Sequence, residues 1–191
     1  MGTEGPIIPH VVVGAREPKP PKDDLVRLWS KVTSGVTKYG FVIEYRDLES
    51  PRTGIFDGLR IVIDPDVPFE MQCFLLLHLF GHSVQWVAPS LAGTLTGITA
   101  NGDKGDFIAA LQAYEYDAAQ FGMQLLREVG VVGRDQWYAD FVATDWTYVC
   151  TYYQAGALPN WNLCIRRGVP LIKPMPIPVL HHRQVEVRFA F

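Results

Sequence analysis

The chain has 191 residues, 48% of them apolar and 19% charged, which excludes wholesale disorder and leaves room for one domain with a surplus, not two full domains. Twenty acidic against seventeen basic side chains give a net charge of −3, so the molecule offers no general attraction to a phosphate backbone and nucleic acid is not an expected partner. The longest dense apolar run, Cys73 to Phe80, is far short of the ~20 residues of a membrane span, and the chain's start lacks the basic and apolar stretches of a secretory signal; a cytoplasmic place away from membranes is expected.

Prolines set the outer limits. Five of the fourteen lie in residues 1–21 and five more between Pro159 and Pro178. Each fixes φ and removes a backbone donor, so residues 1–22 and 157–191 are expected to be extended arms around a domain at 23–156. A first helix is predicted from Asp23 or Asp24, carrying Leu25, Leu28, Trp29, Val32 and Val36 at i, i+3/i+4 spacing and ending at Tyr39-Gly40. Three β-prone runs follow, Phe41–Tyr45, Thr53–Phe56 and Arg60–Ile63, divided by Ser50-Pro51 and by the hairpin signal Asp57-Gly58. They predict a small antiparallel three-stranded sheet.

A second helix is predicted from Pro68 to about Trp86, apolar on nearly every face. Residues 88–106 read as a loop, and a third helix runs from Phe107, capped by Asp106, to about Val129 before Gly130. A fourth spans Arg134 to about Tyr153, with Asp145 interrupting its apolar face. Gln184 to Phe191 alternates strictly and predicts a strand. The class is therefore α+β with about four helices. Cys73, Cys150 and Cys164 show no CxxC spacing and predict reduced thiols.

His78 and His82 are four apart on the second helix, so they share a face and can share one ligand. Two readings are open at this point, a pair of core histidines satisfied by hydrogen bonds and a metal-binding pair. Burying an imidazole without a partner costs ~1–3 kcal/mol, a cost that a metal on one nitrogen and a hydrogen bond on the other remove. A third ligand is on offer in the third helix. Glu115 is followed at +3, +4 and +7 by Ala118, Ala119 and Gly122, small residues that let another helix approach along the same face. The plain alternative is an exposed glutamate bordering the stripe of Leu111, Tyr114, Ala118, Phe121 and Leu125.

The order of these elements, with YGFVIEY, TGIFDGLRIVID, HLFGH and EYDAAQFG, resembles the ImmA/IrrE family of zinc metallopeptidase-like domains over residues 23–130 or so. The resemblance implies a zincin-like HxxxH helix and one zinc ion on His78, His82 and Glu115, a His₂Glu set with its fourth position left to water. Where that family has the glutamate of HExxH, which takes a proton from the metal's water, this chain has Leu79. Losing a general base typically costs 10²- to 10⁴-fold in rate. Glu70 lies about 12 Å upstream along the helix, too far to substitute, and Asp117 is expected to point away from Glu115.

The expected function is therefore a zinc-binding pseudo-peptidase, retained for peptide or protein binding or for regulation. The alternatives are an active zinc hydrolase whose base comes from the 88–106 loop, a tail or the substrate, and a metal-free interaction module. Asp145 is expected to pair with a nearby donor or to stand behind a histidine. In the tail, His181 or His182 is a candidate fourth ligand that would make the site structural. Five basic side chains against Glu186 in residues 158–191 suit an acidic body or an anionic partner. Val185, Val187, Phe189 and Phe191 would make one face of the last strand sticky unless it pairs with the sheet or, in a homodimer, with another subunit.

Overall fold

Leu25, Leu28, Val32 and Val36 form the buried stripe of the first helix, α1 (Lys22–Lys38). The chain turns at Gly40, where φ is +88°, a value that glycine adopts without steric cost. The computed structural model describes residues 22–91 and 104–184. The expected N-terminal arm up to residue 21, residues 92–103 of the expected loop and residues 185–191 of the expected last strand lie outside the described residues; Gln184 is described and is not in a strand.

Three strands follow, β1 (Val42–Tyr45), β2 (Gly54–Phe56) and β3 (Arg60–Ile63). The Asp57-Gly58 hairpin forms as predicted. β2 and β3 pair antiparallel with Phe56 opposite Ile61, Gly58 takes φ +83°, and the Asp57 carboxylate accepts from the backbone N–H groups of Leu59 and Arg60. The all-antiparallel sheet is corrected, because β1 pairs parallel with β3 and the order is β1-β3-β2. The physical reason lies in β3, whose Ile61, Val62 and Ile63 are all buried. A run apolar on both faces belongs in the centre of a sheet, and the eight residues 46–53 carry the chain past the place that β3 takes beside β1, to put β2 on the far side of β3.

α2 (Phe69–Val87) is the central helix, with every residue from Gln72 to Gln85 buried. It packs against α1, the sheet and both later helices, α3 (Lys104–Glu128) and α4 (Asp135–Ala155). Each large apolar side chain fully buried in this way contributes about 1.5–3 kcal/mol, which is why α2 can dispense with a polar face. The small stripe on α3 does what its composition predicts. A Cβ added at Gly81 of α2 would fall 2.1 Å from the Ala118 carbonyl oxygen, so the two backbones are in direct contact. One turn on, a Cβ at Gly122 would fall 2.0 Å from the hydroxyl of Tyr138 on α4. Asp106 lies in the first turn of α3 and not before it, so it serves the helix dipole instead of capping. α4 closes at Gly156 in the left-handed conformation.

The described residues hold five helices, one more than expected, the last being the single turn α5 (Trp161–Cys164). Residues 165–184 have no regular structure, yet they lie on the body. Ile172 is buried and Val169, Met175, Ile177 and Leu180 pack on the core. Backbone bonds from Met175 to Gln120 and from His181 to Val87 fix the strap in place. No helix among the described residues is long and apolar enough to cross a membrane.

Candidate metal centre

The close contact at Gly81 and Ala118 places Glu115, one turn earlier on α3, opposite the histidine face of α2. His78, His82 and Glu115 are 2%, 0% and 4% exposed. Nε2 of His78 lies 3.1 Å from Nε2 of His82, and Glu115 Oε2 lies 3.1 Å from His82 Nε2 and 3.4 Å from His78 Nε2. This buried group can hold a metal ion. Four-coordinate zinc with bonds of ~2.0–2.1 Å spaces its ligand atoms about 3.3 Å apart, close to all three separations.

The donor chemistry agrees with the spacing. Gln85 Nε2 donates to the Tyr114 carbonyl at 2.8 Å, which turns Gln85 Oε1 toward His82 Nδ1 at 2.9 Å. Gln85 thus engages His82 Nδ1 and leaves Nε2 as the nitrogen that faces the centre. Burial above all, with His82 beside it and against the pull of Glu115, pushes His78 down to about 3, so its ring is neutral. Burial pushes Glu115 up, but the His82 field and hydrogen bond, together with His78, outweigh it and hold the carboxyl below its ordinary value. A neutral His78 ring and an ionised Glu115 are the forms of these groups that bind metal. Glu115 Oε1 is buried without a hydrogen-bond partner, a state that costs a charged group more than the ~1–3 kcal/mol of a neutral one and that a bound cation relieves. The rings are also held by packing. Phe56 of β2 lies parallel to His82 at 6.0 Å and Phe74 stacks on His78 at 5.5 Å.

Leu79 is fully buried and points at the sheet, where a Cβ on Gly54 would fall 2.6 Å from its Cδ1. An acid does approach the group from another helix. Asp145 Oδ2 of α4 lies 3.6 Å from His78 Nε2 with 19% of its side chain exposed. Burial first, then the charge of Glu115, pushes it up to about 8. His78 and Asp145 both stand on the wall of a cavity of about 640 Å³, lined for the rest mostly by apolar and aromatic residues such as Met71, Leu75, Tyr148 and Trp161.

The other candidates fall elsewhere. Glu70 accepts a hydrogen bond from Trp137 at 3.0 Å, and Asp117 is half-buried outside the group. His182 is not a fourth ligand: its Nε2 bonds the Tyr39 carbonyl at 2.7 Å and its ring meets Phe41 edge-on. His181 is exposed and holds the strap through its backbone. Sequence reasoning missed Gln85, although a glutamine three residues after a histidine in so apolar a helix was a usable signal. It also left the partner of Asp145 open. Comparison of the chain with family models, curated proteins and solved structures finds no match.

Proposed function

We infer that the domain binds one zinc ion through His78, His82 and Glu115 and works as a metallopeptidase-like domain, in the manner of the ImmA/IrrE proteins it resembles in sequence. The observation that carries this reading is the convergence of three metal-ready donor atoms within 3.4 Å of one another in a buried site. Two histidines and a carboxylate are a set used by catalytic zinc and by non-haem iron(II), and the resemblance in sequence selects zinc between them. Zinc so held polarises a carbonyl and lowers the pKa of water. The cavity beside His78 and Asp145 has the size and apolar lining of a ligand pocket, and a peptide or protein segment is its proposed occupant. With Leu79 in place of glutamate, α2 supplies no base for HExxH hydrolysis, so occupancy of the cavity does not by itself imply cleavage.

Metal analysis of the purified chain tests this reading. The parent is expected to carry about one zinc per chain, and His78→Ala, His82→Ala and Glu115→Ala each to lose it while staying folded by circular dichroism. A parent that stays essentially metal-free after incubation with zinc contradicts the reading. The competing hydrolase reading is favoured by one observation, the approach of Asp145 to His78 from the cavity side.

A further inference from the structure

A hydrolytic site of this kind needs a carboxylate on its open side, and position 79 places leucine against the sheet instead. Two separate placements bring a carboxylate in from α4. Asp145 Oδ2 is 3.6 Å from Nε2 of His78, the nitrogen that faces His82 and Glu115. The same side chain stands with His78 on the wall of the cavity. Asp145 is not one of the residues whose ligand atoms all lie within 4.8 Å of one another, so it stands beside the ligand set and not in it. Among the described residues, the basic side chain beside it is the neutral His78.

Resting on the zinc reading above, we propose that Asp145 supplies the carboxylate missing from position 79 and makes the cavity a site of amide hydrolysis. Water is the co-reactant. Its oxygen bonds to the carbonyl carbon of an amide held in the cavity while one of its protons passes to Oδ2 of Asp145 in its ionised form. The C–N bond then breaks, and the proton moves from Asp145 to the departing nitrogen, leaving an acid and an amine. The walls made by Met71, Leu75, Tyr148 and Trp161 select an amide flanked by a large apolar side chain and keep bulk water out of the step.

The test uses the zinc-loaded full chain and fluorogenic peptides whose central amide is flanked by Phe, Leu, Ala or Asp. Hydrolysis of the Phe and Leu peptides, stopped by chelator and restored by zinc, is expected. Asp145→Asn keeps the shape but not the proton acceptor. It is expected to lower kcat by about 10²- to 10⁴-fold, with KM within about threefold and the zinc content of the parent. Asp145→Ala is expected to lose as much and to recover at least about tenfold with added formate, which replaces the missing acceptor; a structural role gives no such recovery. A readout independent of turnover is the visible spectrum of the cobalt-loaded chain, which Asp145→Asn is expected to shift at unchanged metal content. Three results overturn the proposal: a zinc-replete parent that cleaves none of the peptides, an Asp145→Asn enzyme within about threefold of the parent, or an alanine variant that formate does not rescue. Should Asp145→Asn not fold, the parent's peptide profile and the formate response decide. Failure of the zinc reading looks different, because there parent and variants alike carry no metal.

Discussion

Gln85 decides what His82 offers to its surroundings. By bonding Nδ1 while its own amide is anchored on Tyr114, it leaves Nε2 as the nitrogen aimed at Glu115. Removing such a partner typically costs 10- to 100-fold in metal affinity, so Gln85→Leu, apolar and of similar size, is expected to bind zinc about 10- to 100-fold more weakly. Competition with a chromophoric chelator measures this, and helix content is expected to hold. Asp145 has the opposite character, costing stability where it is not needed for packing. Its folded value, about 8, lies above the ordinary 3.8, so its contribution is fully favourable below 3.8 and is lost as the pH rises through 8. In chelator-stripped protein, Asp145→Asn is therefore expected to raise Tm, by an amount that grows between pH 4 and pH 8. A Tm difference that stays flat or shrinks over that range contradicts this account. His78 and His82 were legible as a pair because helical spacing is read directly from sequence numbers, and Glu115 through the small residues that follow it; the structure brings the three together. The partner of Asp145 was not, because it depends on how α4 lies on α2.

Among the elements, the α2–α3 contact governs the site. Its tightest point is Gly81 against the Ala118 carbonyl, backbone on backbone, where no side chain can swing aside. Gly81→Ala is expected to push the helices apart, costing about 1–3 kcal/mol or more, and to weaken zinc binding because Glu115 moves away from the histidines. Thermal denaturation and metal content measured on the same sample check both effects, and a variant with full zinc and unchanged Tm refutes the role given to this contact. The small-residue stripe made this approach legible in the sequence, since Ala118, Ala119 and Gly122 follow Glu115 along one face. The sheet was only half legible. Asp57-Gly58 specifies its hairpin locally, whereas the parallel pairing of β1 with β3 depends on where an eight-residue connection carries the chain. The clue to it was the unbroken apolar run of β3, which marks a central strand.

Across the whole molecule, the segment after α5 ties the helices together. Arg166 N–H donates to Thr144, Val169 N–H to Asp140, and Met175 N–H to the Gln120 carbonyl; Ile172 supplies the buried anchor. Proline content forecast a lack of regular structure here and the basic charge a tail lying on the acidic body, but neither gave the anchoring residues, because tertiary burial of an irregular strap leaves no periodic signal. Ile172→Ala is expected to cost about 2–4 kcal/mol in urea unfolding with zinc affinity little changed, since the strap touches α3 and α4 away from the histidines. Zinc bound as proposed would couple to the same fold, as a ligand held only by the native state stabilises it by roughly 2.7 kcal/mol at a hundred times its Kd. Anomalous diffraction at the zinc edge from crystals of the zinc-loaded chain tests the central claim most directly. A single strong peak is predicted, about 2.0–2.2 Å from Nε2 of His78, Nε2 of His82 and Oε2 of Glu115; no peak there, or zinc held by other residues, would contradict it.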